Sequence, residues 1–278
     1  MKSIEKQNIL VTGATDGIGR GAALELARRG ARVLLHGRSQ SRLEATRDAI
    51  AAETGSERLE TYVADFASLA DVRRLAEEVG ARHDRLDVLL NNAGIGLGPR
   101  GRQRREESAD GYELRFQINY LAPFLLQHLL LPLLRRAAPA RIVNVASIGQ
   151  EPIDFDDVML ERDYESMHAY RQSKLALIMA SFELAHQLDP AEVTVNALHP
   201  GTLLDTKMVR EGFGKAMGPV ETGIEAEVYL TTSPELDGVT GEYFDRTERA
   251  RANAQAYDTG ARKRLWELTG QWVGLQSP

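Results

Sequence analysis

The chain contains no cysteine, which excludes disulfides, thiol nucleophiles and cysteine metal ligands. Histidine is sparse, and none of the six (36, 83, 128, 168, 186 and 199) stands in the His-x-x-x-His spacing of a helical zinc site, so no metal is expected. Long hydrophobic runs are missing as well. The most apolar stretch, YLAPFLLQHLLLPLL (120–134), is too short for a bilayer and is interrupted by Pro123, Gln127, His128 and Pro132, so it reads as a buried core helix with no membrane span. The opening MKSIEKQNILVTG goes from a polar lead straight into an apolar strand without a signal-peptide core, and a soluble, cytoplasmic protein is expected. The net charge is −6 and no Lys/Arg block stands alone, which argues against a nucleic-acid partner. Lysine is scarce: between Lys6 and Lys207 there is only Lys174.

What is present is a regular alternation. Short runs rich in Val, Ile and Leu occur near 8–12, 32–36, 59–64, 87–92, 141–146, 194–199 and 241–244, with helical patterns over 17–29, 40–54, 68–81, 110–134, 164–188, 221–233 and 258–271. Strands apolar on both faces suit a parallel sheet covered on both sides. With no internal repeat or linker in 278 residues, the expectation is a single domain of the α/β class over 1–278: a doubly wound, mainly parallel seven-stranded sheet with helices on both faces.

Two local patterns carry chemistry. TGATDGIGRG (12–21) stands between the first strand and the first helix; its glycines 13, 17 and 19 let backbone approach a phosphate, and the helix start offers free N–H groups. In SMHAYRQSKLALIM (166–179), Tyr170 and Lys174 are one helical turn apart on one face. An ammonium beside a phenol favours its ionised form and lowers its pKa toward the range of acid/base catalysis. A compact ammonium in a chain that otherwise writes arginine suggests a position where the planar guanidinium does not substitute.

TGATDGIG (12–19), NNAG (91–94), Asn119, Ser147, YRQSK (170–174) and HPG (199–201) occur in an order and spacing that resembles the short-chain dehydrogenase/reductase superfamily, across nearly the whole chain. Residues 153–177, SPELDGVTGEYF (233–244) and ARKRLWELT (261–269) look like its retinol-dehydrogenase-like branch, which also includes bacterial reductases of uncertain substrate. The resemblance implies a Rossmann-type fold and an oxidoreductase that interconverts a carbonyl and an alcohol on a small-molecule substrate. It makes Tyr170 the general acid/base, Lys174 the group that lowers the phenol's pKa and binds the nicotinamide ribose, and Ser147 the hydrogen-bond partner of the substrate oxygen. Asn119 would hold a proton-relay water, or else serve as a buried structural amide. The cofactor would lie on Gly13, Thr15, Asp16, Gly17, Ile18 and Gly19, against Asp65 and Phe66, along Asn92, Ala93 and Gly94, and beside Pro200, Gly201 and Thr202. Asp65 has an alternative as a turn or N-cap residue. His168, two residues before Tyr170, points elsewhere on a helix and is left out.

The second strand ends in Gly37 and Arg38, where a NAD-selective protein would carry an acidic residue for the ribose 2′-hydroxyl. Arg38, with Ser39, can instead pair with a 2′-phosphate, so NADP (NADPH) is the expected cofactor. Ser147 and Tyr170 are 23 positions apart, wider than in compact members of the superfamily, so a segment is inserted near 150–165. Its Ile148, Ile153, Phe155 and Met159, and Leu203, Leu204, Met208, Phe213 and Met217 of a Gly-punctuated segment near 203–220, are expected to cover a lipophilic or aromatic substrate. Thr206 stands one residue later than the related pattern, which puts its contact with the cofactor in doubt. The arginine-rich loop at 100–105 reads as solvated surface more readily than as an anion clamp. Two further readings stay open: reduction of a carbon–carbon double bond, and a cofactor-binding regulatory protein without turnover. Oligomeric state is open too.

Overall fold

The computed structural model describes residues 2–98 and 104–275. Its strands are β1 (Asn8–Val11), β2 (Arg32–Gly37), β3 (Leu59–Val63), β4 (Val88–Asn91), β5 (Ala140–Val145), β6 (Val193–His199), β7 (Tyr243–Asp245) and β8 (Glu248–Ala250). They form one sheet in the order β3-β2-β1-β4-β5-β6-β7-β8, parallel throughout except for the antiparallel pair β7–β8. Among the described residues the sheet therefore has eight strands rather than the expected seven. The extra strand is three residues, Glu-Arg-Ala, with no alternation to betray it, and its exposed charges mark a sheet edge.

Strand alternation sorts the core into two layers. In β1, Leu10 points to one face while Ile9 and Val11 point to the other; β2 and β4 repeat this with Leu34 and Leu89 against Val33, Leu35, Val88 and Leu90. One face is covered by α1 (Gly17–Arg28), α2 (Gln40–Thr54) and α8 (Val220–Thr232). The other is covered by α3 (Leu69–Arg82), α5 (Ala122–Ala137), α6 (Ser166–Gln187) and α9 (Thr259–Trp272). Helix starts are fixed by side-chain caps: Asp16 for α1, Ser39 for α2 and Ser68 for α3.

The expected helix over 110–134 begins later, as α4 (Leu114–Phe116), passes through a π-helical turn at Gln117–Leu121, and continues as α5. Such turns concentrate at functional sites, and this one carries Asn119. The sequence also hides α7 (Lys207–Phe213), which is capped by the Thr206 hydroxyl and ended by Gly214 at φ 83°. From β1 the chain winds outward to β3 and then returns to β4 on the other side of β1. The crevice this leaves at the carboxyl ends of the strands is where ligands of such sheets bind.

Candidate active site

The crevice is a cleft of about 590 Å³. Of the expected cofactor residues, Gly13, Thr15, Asp16, Gly17, Ile18, Arg38, Asp65, Phe66, Asn92, Ala93, Gly94, Pro200 and Gly201 line it. Three do not. Gly19 is a packing glycine, since a Cβ there would stand 2.1 Å from Asn92 Nδ2. Ser39 caps α2, and Thr202 turns its hydroxyl to His199 Nε2 at 3.1 Å. Thr206, in doubt from spacing, does line the cleft, and its methyl carbon lies 3.3 Å from where a Gly17 Cβ would be.

The glycine-rich turn is held from two sides. Asn92 Nδ2 donates to the carbonyls of Thr12 (2.8 Å) and Gly13 (3.2 Å), and the Ala93 N–H donates to Thr12 Oγ1 at 3.0 Å. From β2, His36 Nδ1 accepts the Gly13 N–H at 3.3 Å while Nε2 donates to the Ala64 carbonyl at 3.1 Å. Those partners require a neutral ring, and burial pushes its pKa down to about 4. The same ring stacks on Phe66 at 4.4 Å. Neither Thr12 nor His36 is singled out by the sequence, where both read as strand residues.

Just past the end of β2, Arg38 lines the cleft, is exposed and makes no hydrogen bond or ion pair among the described residues. Arg42, one turn into α2, also lines the cleft and pairs with Asp16 at 3.1 Å. Sequence reasoning missed Arg42. Asp65 accepts the Ala67 N–H at 3.0 Å, so the turn reading holds for one of its oxygens while the residue still faces the cleft.

None of the four expected catalytic residues lines the cleft itself, but two of them, Asn119 and Lys174, stand directly behind Gly94 of its wall. Asn119 Oδ1 and Lys174 Nζ lie 3.1 and 3.4 Å from where a Gly94 Cβ would be, so only glycine fits without displacement. The Asn119 side chain accepts the Ile95 N–H at 2.8 Å and donates to the Ile95 carbonyl (3.1 Å) and Ser173 Oγ (3.0 Å). Ser147 follows β5; its hydroxyl accepts the Gly149 N–H at 3.0 Å, and its carbonyl accepts from Tyr243 Oη at 2.9 Å. Desolvation pushes the Tyr170 phenol's pKa up, and the nearby Ser147 hydroxyl only partly offsets it, so the net direction is upward. The expected lowering by Lys174 does not govern here. Its Nζ is 6.0 Å from the Tyr170 ring centre and donates to the Val145 carbonyl at 2.8 Å. Burial pushes Lys174 down to about 8. His168 is turned away as expected, onto Glu151 at 3.1 Å.

The two covering segments differ. Ile153 is buried in the core, Phe155 and Met159 pack against it, and Arg264 of α9 lies 4.5 Å over the Phe155 ring; of the four apolar residues expected to cover substrate from this side, only Ile148 stays exposed beside Ser147. The 253–257 turn fastens that segment, with Gln255 accepting the Ile153 N–H at 2.6 Å and donating to the Ile153 carbonyl at 3.2 Å. From the other segment, Leu203, Leu204, Thr206, Lys207, Met208, Val209 and Glu211 line the cleft. Met208 leans on the loop after β4, its Cγ 2.8 Å from where a Gly96 Cβ would be.

One buried network was invisible in the sequence. Arg115, 2% exposed, donates through Nε to the Gly96 carbonyl (3.0 Å), through Nη2 to the Leu97 carbonyl (2.5 Å) and through Nη1 to Tyr164 Oη (2.6 Å) and Glu113 (3.3 Å). Tyr164 Oη donates in turn to Glu113 at 3.1 Å. The loop after β4, the start of α4 and the end of the inserted segment are thereby fastened to one guanidinium. Of the arginine-rich loop, Arg100 and Arg102 lie outside the described residues; Arg105 pairs with Glu107 at 2.5 Å. Among the described residues, no helix is long and apolar enough to cross a membrane.

Comparison with known proteins gives a consistent result. Residues 7–215 match the family model described as short chain dehydrogenase. Human "Retinol dehydrogenase 13" is 36% identical over 99% of this chain and 87% of its own length. Among solved structures, an uncharacterised protein from Mycobacterium paratuberculosis superposes with a TM-score of 0.80 at 27% identity, covering 100% of this chain and 97% of that one. A short chain dehydrogenase from Shigella flexneri, complexed with NADP, has a TM-score of 0.70 at 29% identity, covering 88% and 99%.

Proposed function

The chain belongs to the short-chain dehydrogenase/reductase superfamily, in its retinol-dehydrogenase-like branch, and on that premise we propose that it interconverts a carbonyl and an alcohol on a lipophilic or aromatic small molecule with NADP(H). The observation that carries the reading is that Lys174 stands behind Gly94 with Asn119, is held by the carbonyl of Val145 at the carboxyl end of β5, two residues before Ser147, and lies 6.0 Å from the Tyr170 ring centre. Tyr170 gives its proton to the carbonyl oxygen in reduction and takes it back in oxidation. Ser147, just past the end of β5, orients the same oxygen through its hydroxyl. Lys174 stabilises the phenolate left after proton transfer and holds the ribose.

The cleft suits a dinucleotide on this chain's own features. The turn at Gly13 and Gly17 has positive φ values of 69° and 52°, and α1 opens directly behind it. Arg38 has no side-chain partner among the described residues, and Arg42 lines the same cleft, which suits the pair to a 2′-phosphate. The Shigella flexneri relative that carries NADP supports the same choice. The cofactor supplies the hydride; the chain binds it, orients it and manages the proton. Ile95, Ile118, Leu203, Met208 and Val209 make the mouth apolar, which supports a lipophilic substrate.

The test is NADPH absorbance against a panel of lipophilic aldehydes, ketones and enones, with NADH in parallel. Consumption with an aldehyde or ketone, faster with NADPH, is expected. Turnover on enones alone, or none on any compound, would overturn the reading.

A further inference from the structure

Gln117 opens the π-helical turn that carries Asn119, is 0% exposed, and has no part in the proposed reaction. Its amide is nevertheless fully engaged. Nε2 donates to the Phe66 carbonyl at 3.3 Å and to Asp110 Oδ2 at 2.7 Å, while Oε1 accepts the Ser108 hydroxyl at 2.6 Å. A carbonyl and a carboxylate are both pure acceptors, so they fix which side of the amide carries the nitrogen. Asp110 Oδ2 also accepts the Leu69 N–H at 2.8 Å, and the Ala109 N–H donates to the Ala67 carbonyl at 2.9 Å. The 108–112 turn and the loop after β3 are thereby fastened to each other and to Gln117.

What Gln117 holds is a wall of the cleft. Phe66 lines it, and its ring stacks at 4.4 Å on His36, which accepts the Gly13 N–H. Contact therefore passes without a gap from the glycine-rich turn through His36 and Phe66 to Gln117. Two residues on, Asn119 takes both the N–H and the carbonyl of Ile95, in the loop after β4. In the sheet, β2 and β1 lie between β3 and β4. Side chains two apart on a helix face different ways, so a single turn reaches both loops. Ile118, between the two amides, lines the cleft.

We propose that Gln117 is a positioning residue for the cofactor: it fixes the Asp65–Phe66 loop for the nucleoside half of NADP(H), at a set distance from the loop that Asn119 holds. It does not itself line the cleft. The inference rests on the reading that this cleft takes NADP(H). A loop ordered in advance loses little freedom when its ligand arrives, whereas a loose one must be ordered by the ligand at a cost in affinity. Without the Gln117 donor, the buried Phe66 carbonyl loses that partner and the loop is freed to move. The penalty falls on nucleoside binding, while Ser147, Tyr170 and Lys174 keep their places.

The test is calorimetric binding of adenosine 2′,5′-bisphosphate, the nucleoside half without the nicotinamide, to the whole chain, beside steady-state kinetics. Gln117→Met keeps the length and removes the amide. The Kd for the bisphosphate should rise about tenfold and the KM for NADPH with it, while kcat and the carbonyl KM stay within about twofold. Ser108→Ala removes the third bond of the amide but spares the one to Phe66, and should bind the bisphosphate as the wild type does. Unchanged binding in Gln117→Met, equal weakening in Ser108→Ala, or a fall in kcat in place of the rise in NADPH KM overturns the inference and leaves the proposed function standing. A wild-type chain that does not bind the bisphosphate overturns the NADP(H) reading, and the inference with it. Should Gln117→Met not fold, Gln117→Asn keeps an amide but shortens its reach by one methylene; weaker bisphosphate binding is again expected, and unchanged binding is equally decisive against the inference.

Discussion

His36 and Gly13 are joined by a hydrogen bond in which the imidazole accepts the backbone N–H of the glycine-rich turn at 3.3 Å. The bond exists only while the ring is neutral, and burial holds its pKa at about 4 against 6.5 for a free histidine. Between those values the unfolded chain binds more protons than the folded one, so stability rises with pH across the window and is lost as pH falls through it. His128 and His199 are shifted in the same direction by burial. We expect His36→Asn to remove up to about 1.4 kcal/mol per pH unit from the slope of unfolding free energy between pH 6.5 and 4. Urea titrations of both proteins at several pH values check this; parallel slopes would show that His36 does not stay neutral.

Tyr170→Phe removes the proton donor but leaves the ring packed, and should cut turnover by about 10²-fold or more with unfolding unchanged. Lys174→Arg keeps the charge, but the larger planar group does not fit between Gly94 and the Val145 carbonyl, so it too should lose turnover. Steady-state rates beside a circular dichroism melt decide both.

Arg38→Asp should move preference from NADPH toward NADH. Each charge-assisted bond to a 2′-phosphate contributes about 1.5–3 kcal/mol, roughly ten- to a hundredfold in kcat/KM for NADPH, with little change for NADH. Arg42→Ala should act in the same direction and less strongly, because Arg42 must first leave Asp16. Wild-type protein that uses NADH as well as NADPH would remove both assignments.

The Arg115 network predicts a graded loss. Tyr164→Phe deletes the hydroxyl shared by Arg115 and Glu113 and should cost about 1–2 kcal/mol of stability. Arg115→Ala leaves the buried Glu113 without its cation, and should cost about 3–5 kcal/mol. Because the Gly96 and Leu97 carbonyls lose their donor in the second variant, substrate KM should rise more than cofactor KM.

Residues 203–218 are expected to gain amide protection when cofactor and substrate are both present, since Thr206 already leans on Gly17 and Met208 on Gly96 across the cleft. Hydrogen exchange of the free and ternary states measures this. Equal protection in both states would separate the segment from ligand binding.

The strands from Asn8 to Phe244, the glycine-rich turn and the Tyr170–Lys174 pair were legible because each follows a strong local rule: short runs apolar on both faces, φ freedom, or one-turn spacing. The short elements were not. Residues 207–213 make fewer than two helical turns and include Gly212, and residues 248–250 offer three polar or small side chains, so neither has a period to read. Arg115 and Arg42 stayed hidden for another reason. A charged residue on a helix reads as solvent-facing, and only tertiary packing turns Arg115 inward.

Both tryptophans of the chain, Trp266 and Trp272, sit on α9. Trp266 packs edge-on to Phe124 at 4.9 Å and near His128 at 5.0 Å on α5, while Trp272 stands 6.0 Å from Phe116 on α4. Intrinsic indole emission therefore watches one event, the seating of the final helix against the layer opposite α1 and α2. A chain that frays from its carboxyl end would lose this signal before the nucleotide-facing half loosens. Emission and circular dichroism melts that fail to coincide would then mark partial opening at α9 rather than an intermediate of the whole fold.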